Sequence, residues 1–470
     1  MYRSFLKSAI IFLVLLLHSG PAFGVQEKIV VDLIVNGDYV VTIDDQQPVI
    51  LNGAVAVTDG RIVAVGLQNE IAATYDAPQV LPGEGMIVMP GLVNGHTHAA
   101  MVLFRGLADD KALMDWLQNY IFPAEKQFVD AEFVRIGTQL ACWEMIRGGT
   151  TTFVDMYFYP DTIARVTEKC GLRAIIASAT IDYPSPGFTG WDDSFAAAKS
   201  FVKSWQNHPR IIPAIGPHAP YTVSPEHLVQ AHEAAKELNA PLVIHVSETK
   251  HENDDMVKRY GKTSVEYLNE LGVLDSRMIA AHMVWPTDSE IKLLVKNKVG
   301  VVHNPGSNLK LASGFAPVPT MLQEGVKIGL GTDGAASNND LDMWEEIRLA
   351  ALIHKGNLHD PTVIPATTAL KMATLGGAEA IGLAEEIGAV TKGRRADLIQ
   401  VRIGDDAHEM PMYNIISHLV YSTQSADVAT VIVDGKILMQ NGGFLTLDRK
   451  TISREVKALS QRIAVLAGSR

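Results

Sequence analysis

Two histidines one residue apart, His96 and His98, end an apolar run in the stretch PGLVNGHTHAAMVLFRG (residues 90–106). Other polar groups end apolar runs further along: His218 in GPHAP, His245 and Glu248 in IHVSE, His282 in AHM, His303 and Asn304 in HNPGSN, and Asp333 in GTDG. A single histidine at such a place is usually a hydrogen-bonding residue, and an Asp before Gly is usually a turn. Imidazoles and a carboxylate brought to one place make a site for zinc or ferrous iron, with no thiolate ligand at these positions. We take His96, His98, His245 and Asp333 as the donor set. Residues i and i+2 of a strand point the same way, so His96 and His98 share a face and Thr97 turns away. Such a site leaves one position for a water whose acidity the metal raises, with Asp333 close enough to accept its proton. Glu248, three residues after His245, is placed to shuttle protons. His282 is expected to polarise the nucleophile rather than to ligate. No lysine follows a strand where a carboxylated lysine would bridge a second metal, so one divalent ion is expected, zinc ahead of iron.

These side chains converge only if the elements beneath them do. Eight apolar β runs lie between about residues 87 and 390: MIVMPGLVNGH, TTFVDMY, RAIIASAT, IIPAIGPHAP, PLVIHVSE, MIAAHMV, VGVVHNP and VKIGLGTDG. Helical segments such as DAEFVRIGTQLACWEMIRGG and SPEHLVQAHEAAKELN separate most of them. Interleaved β and α segments indicate parallel β/α units, most simply a closed (β/α)8 TIM barrel, whose functional residues end its strands. An open doubly wound sheet is disfavoured because no glycine-rich dinucleotide fingerprint follows the first strand. Short β runs lie at both ends of the chain, with Asp-Gly hairpin turns at 59–60 and 434–435. They are expected to join into one small β-sandwich. The expected division is a signal peptide (1–24), an N-terminal sandwich segment (25–87), the barrel hydrolase domain (88–392), a C-terminal sandwich segment (393–445) and a terminal helix (446–470). Val456, Leu459, Ile463 and Leu466 are spaced for one face of that helix.

The chain has 470 residues and a formal charge of −12, which disfavours a nucleic-acid backbone as partner. Arg3 and Lys7 precede an apolar core, Ala9 to Leu17, and Ala22-Phe23-Gly24 fits a cleavage site. An exported, periplasmic protein with a removable signal peptide is therefore expected, anchored to the membrane if the segment is uncleaved. That core is short for a bilayer span, and no other run approaches one. Cys142 and Cys170 are expected to be buried free thiols, two cysteines being no disulfide framework. A homodimer is the base-rate expectation.

With PGLVNGHTHAAMVLFRG, PHAPYTVSPE, HVSET, HNPGSNLKLASGFAPV and GTDGAASNNDLDMWEE in place, the chain resembles the amidohydrolase superfamily over about residues 29–445. The similarity is to its one-metal deaminases of aromatic rings, which include the 5′-methylthioadenosine/S-adenosylhomocysteine deaminases. The resemblance implies the same four ligands. It implies Glu248 as the acid that protonates the ring nitrogen, and Asp333 as the group that returns a proton to the departing amine. It adds Glu125, in FPAEKQF, as acceptor for ribose hydroxyls, His218 as a purine or sugar contact, and Trp116, in LMDWL, as a stacking aromatic or else a core residue. The implied reaction is hydrolytic deamination of an adenine nucleoside to an inosine-type product and ammonia. No arginine lies between Arg173 and Arg210. A homocysteine carboxylate wants a bidentate arginine partner, so methylthioadenosine or adenosine is expected ahead of S-adenosylhomocysteine, unless Arg173, Arg210 or a partner subunit serves.

Two rivals remain at this level. A triazine or N-ethylammeline aminohydrolase or chlorohydrolase would share every ligand but would not need Glu125. A non-catalytic metal-binding or periplasmic binding protein would not need Glu248.

Overall fold

The computed structural model describes residues 27–404 and 406–467. Eight strands form one parallel sheet in chain order: β1 (Leu92–Thr97), β2 (Thr150–Tyr157), β3 (Arg173–Thr180), β4 (Ile211–Pro217), β5 (Leu242–Val246), β6 (Met278–His282), β7 (Gly300–His303) and β8 (Lys327–Leu330). Nearly every residue on these strands is buried. That follows from helices covering the outer face while side chains fill the inside, as continuous apolar runs rather than alternating ones require. The (β/α)8 expectation holds.

The barrel closes between β1 and β8 without a regular ladder, through side chains and one backbone bond. The Asn94 amide donates to Thr332 Oγ1 (2.8 Å), and the Thr332 backbone amide donates to Asn94 Oδ1 (3.1 Å). The Asp333 amide completes the seam on the His96 carbonyl (2.9 Å). Gly331 lies in this seam, where an added Cβ would stand 2.7 Å from the His96 nitrogen.

Both ends of the chain build a second, nine-stranded mixed sheet. Met86–Pro90 is its middle, parallel to Leu33–Val41 on one side and antiparallel to Leu398–Arg402 on the other. The sequence pattern joins this strand to β1. The structure splits the run at Gly91, whose amide donates to the Asp397 carbonyl and where a Cβ would lie 2.1 Å from Thr151. One apolar run thus serves two sheets. Both Asp-Gly turns form, each residue with positive φ, joining Thr58 to Arg61 and Val433 to Lys436. The sheets are tied by a buried ion pair. Arg173, first residue of β3, donates to both oxygens of Asp397 (2.8 and 3.2 Å), and Asp397 also accepts from the Asp434 amide (2.7 Å).

The C-terminal helix runs Arg449–Ala467 and buries Ile452, Leu459 and Ile463. Cys142 and Cys170 are free and buried. The expectation of an exported, periplasmic or membrane-anchored protein is withdrawn. It rests on residues 1–24, which lie outside the described residues, and among the described residues no helix is long and apolar enough to cross a membrane.

Candidate active site

The C-terminal ends of β1, β5, β6 and β8 bring His96, His98, His245, His282 and Asp333 together, in two overlapping groups whose ligand atoms lie within 4.8 Å of one another. His98 Nε2 is 3.3 Å from Asp333 Oδ1 and 3.3 Å from His245 Nε2, and His96 Nε2 is 3.5 Å from the same Asp333 oxygen. Three imidazole nitrogens and a carboxylate oxygen point at one small volume.

What holds each ring is visible around it. His98 Nδ1 donates to the Met156 carbonyl at the end of β2 (2.6 Å), and His245 Nδ1 donates to the His218 carbonyl at the end of β4 (2.7 Å). Each bond places the Nδ1 proton and turns Nε2 toward the cluster, the orientation in which a histidine ligates. Asp333 Oδ2 accepts from Ser307 Oγ (2.7 Å) and Ser337 Oγ (2.9 Å), and its Oδ1 from the Gly334 amide (2.7 Å). Burial drives His96 down to about 4 and His245 well below its ordinary value, keeping both neutral. Burial opposes the charged forms of Asp333 and His98 as well. The contacts with His96 and His98 outweigh it for Asp333, holding that carboxyl well below its usual range, and the contact with Asp333 outweighs it for His98, raising it to about 9.

The residues fit a divalent metal. Both nitrogens of His96 are buried without a hydrogen-bond partner, and the Nε2 atoms of His98 and His245 face each other at 3.3 Å. A buried donor or acceptor without a partner is costly, and a cation among these four residues would give His96 Nε2 the partner it lacks.

Glu248 follows β5 by two residues. It is buried, 3.7 Å from His282 Nε2, and burial, then the neighbouring carboxyls of Asp333 and Glu252, push it well above the usual carboxylate range. Glu252 clamps it from below. Glu252 accepts from the amides of Ser247 (2.8 Å) and Glu248 (2.7 Å) and from Ser264 Oγ (2.6 Å). Sequence reasoning missed Glu252. The available signal was its place three residues after Thr249, whose hydroxyl caps the following helix at the Glu252 amide. His282 sets Nδ1 against Asn308 Oδ1 (2.9 Å) and turns Nε2 toward Glu248 and, at 4.0 Å, Asp333. Ser247, His282 and Asp333 all have positive φ (56°, 77° and 62°). Non-glycine residues rarely hold this conformation, and where they cluster, the surrounding structure imposes it.

The remaining expected residues surround a cavity that opens outward from this cluster. Trp116 and His218 line its inner end together with His98, Tyr221, Glu248 and Asp333. Trp116 is buried and its indole nitrogen has no partner. His218 sets Nδ1 against Thr222 Oγ1 (3.0 Å), and burial takes it down to about 3. Glu125, on the Phe122–Phe128 helix, stands beside Tyr157 farther out, where burial raises it to about 7. It marks the junction with an outer chamber of about 1150 Å³. Arg173 and Arg210 are both elsewhere, the first on Asp397 and the second on the carbonyls of Leu172 and Glu168.

Comparison with known proteins gives a consistent picture. The sequence pattern of the amidohydrolase family matches residues 87–438. The chain is 44% identical to the 5-methylthioadenosine/S-adenosylhomocysteine deaminase of Thermodesulfovibrio yellowstonii, over 92% of this chain and 98% of that one. It is 44% identical to the 5′-deoxyadenosine deaminase of Methanosarcina acetivorans, over 93% and 100%. Among solved structures, an adenosine deaminase from Xanthomonas campestris with bound zinc superposes with a TM-score of 0.91 at 38% identity, covering 93% of this chain and 100% of that one.

Proposed function

The chain belongs to the amidohydrolase family, and we propose that within it the protein is an adenine-nucleoside deaminase. It hydrolyses the C–N bond at C6 of 5′-methylthioadenosine, adenosine or a related 5′-substituted nucleoside. The products are ammonia and the inosine-type nucleoside. The observation that carries this reading is a buried carboxyl, Glu248, 3.7 Å from His282 Nε2 and raised in pKa by its burial, facing the same cavity as the cluster of histidines and Asp333. A binding protein has no use for that acid. The family is metal-dependent, and we assign the ion as zinc, held by His96, His98, His245 and Asp333, in keeping with the zinc in the similar structure.

Bound there, the ion supplies Lewis acidity that makes water nucleophilic near neutral pH. Glu248 gives its proton to ring nitrogen N1, which breaks aromaticity and opens C6 to attack. His282 holds the attacking oxygen through Nε2, its other nitrogen being set against Asn308. Asp333, braced by Ser307 and Ser337, accepts the proton that water loses and delivers it to the departing amine. Glu125 accepts from the ribose hydroxyls, and His218 and Trp116 confine the ring. Water adds and ammonia leaves, and the remaining hydroxyl proton at C6, lost as the carbonyl forms, returns to Glu248 and restores the acid.

The test is ammonia release and the accompanying absorbance change from methylthioadenosine, adenosine, S-adenosylhomocysteine and an aminotriazine, with zinc-loaded protein. Turnover of the nucleosides, lost on Glu248→Gln and weakened on Glu125→Gln, is expected. Turnover of the triazine alone, indifferent to Glu125→Gln, would overturn the nucleoside reading. No release from any of the four would overturn the enzyme.

A further inference from the structure

Beyond Glu125 the outer chamber is walled mainly by apolar side chains, among them Leu113, Phe122, Phe158 and Ile181. One polar stripe crosses it. His251, Asp255 and Arg259 line the chamber at intervals of four residues on the Lys250–Tyr260 helix, so they share one face of that helix. The helix begins two residues after Glu248, which ties its first turn to the acid. At about 1.5 Å per residue it carries Arg259 roughly 12 Å farther along its axis than His251. Arg259 Nη2 lies 2.5 Å from Asp255 Oδ2, and both side chains remain in part open to solvent, 51% and 27%.

We propose that Asp255 and Arg259 form a recognition site for the zwitterionic α-amino-acid end of a 5′-substituted adenine nucleoside. The substrate carboxylate lies on the Arg259 guanidinium and its ammonium on the Asp255 carboxylate. This rests on the nucleoside reading above and assigns the specificity of the same site. A carboxylate is best met by a planar guanidinium, which has five N–H donors in a fixed fork. Arg173 and Arg210, the arginines that flank the segment after β3, are committed to Asp397 and to backbone carbonyls. Arg259 is the arginine that lines the chamber. The other carboxyls on that wall are engaged or placed elsewhere. Glu252 is held by two amides and a hydroxyl, and Glu125 stands at the inner end. Lys126 and His251 also line the chamber, and neither offers the fork. An ion pair four residues apart on an exposed helix is weak, so a ligand carrying both charges can exchange partners with it at little cost.

The test compares kcat/KM for S-adenosylhomocysteine with that for methylthioadenosine in the full, metal-loaded chain. Arg259→Met should lower the ratio at least tenfold. Asp255→Asn should lower it too, and should leave the ratio unchanged when the homocysteine analogue lacks its amino group. A ratio within twofold of the starting protein in Arg259→Met, including the case where both substrates fall together because the helix has shifted, overturns the proposal. Calorimetric binding of S-adenosylhomocysteine separates this from the reaction itself. Binding weakened at least tenfold by Arg259→Met supports the site even if no ammonia is released. Binding indifferent to that change overturns the site even if deamination is confirmed.

Discussion

Glu252 Oε2 accepts the backbone amide of Glu248 at 2.7 Å. One buried carboxylate thus fixes the main chain of another that has the opposite role, since the first accepts and the second donates. The other oxygen takes the Ser247 amide and the Ser264 hydroxyl, in the turn where Ser247 is held at φ 56°.

Glu252→Gln keeps the shape of that side chain but turns one acceptor into a donor facing an amide. The Glu248 carboxyl should lose its position, and a shift of about 1 Å can cost on the order of 100-fold in rate. A fall in kcat of roughly 10- to 100-fold is expected, with zinc content by atomic absorption unchanged. An unchanged kcat would remove Glu252 from the machinery.

Ser307 braces Asp333 from outside the donor cluster. Groups in such positions typically contribute about 10- to 100-fold to metal affinity. Ser307→Ala should weaken zinc binding by that factor in a competition titration with a chelator. Removal of the ion from the unaltered protein should abolish ammonia release, and added zinc should restore it.

The pH profile should carry the signature of Glu125. Burial raises it to about 7, and only its ionised form accepts from two ribose hydroxyls. Below that pH the carboxyl is protonated, so kcat/KM should rise tenfold per unit toward about 7 and then level. Glu125→Gln should flatten this limb, and a limb that survives belongs to another group. At the alkaline end Glu248 must stay protonated to act. Its strong upward shift by burial and by Asp333 and Glu252 predicts loss of activity only well above the ordinary carboxylate range.

Arg173 and Asp397 should prove structural. Asp397→Ala leaves a buried guanidinium without its partner, which costs about 3–5 kcal/mol. Denaturant unfolding should show that loss, and Arg173→Met combined with Asp397→Leu should recover most of it. A cost below about 1 kcal/mol for the single variant would contradict the buried geometry.

The barrel was legible because its strands are short apolar runs that each stop at a polar side chain. That His96, His98, His245 and Asp333 come together could be read because alternation and strand-end placement are local rules that distance along the chain does not disturb. What stayed hidden depends on partners far apart in sequence. Asn94 and Thr332 look like ordinary polar residues beside His96 and Asp333 until the barrel brings them within 2.8 Å. Arg173 reads as a candidate for the ligand's carboxylate until Asp397, 224 residues later, is seen beside it. The run from Met86 reads as one strand because apolarity does not reveal that Gly91 passes it from one sheet to another. Arg259 sits among charged residues of its helix, and nothing in the sequence marks the face that lines the chamber.

The seam between β1 and β8 also sets an order of events in the cell. Asn94 and Thr332 are 238 residues apart, so at about 5–20 residues per second the ribosome delivers the second roughly 10–50 s after the first. Through that interval the chain holds His96 and His98 but not Asp333, the carboxylate proposed to complete their set. A chain released early lacks part of the proposed metal site. Full metal affinity is therefore a late event, and one that marks a finished barrel.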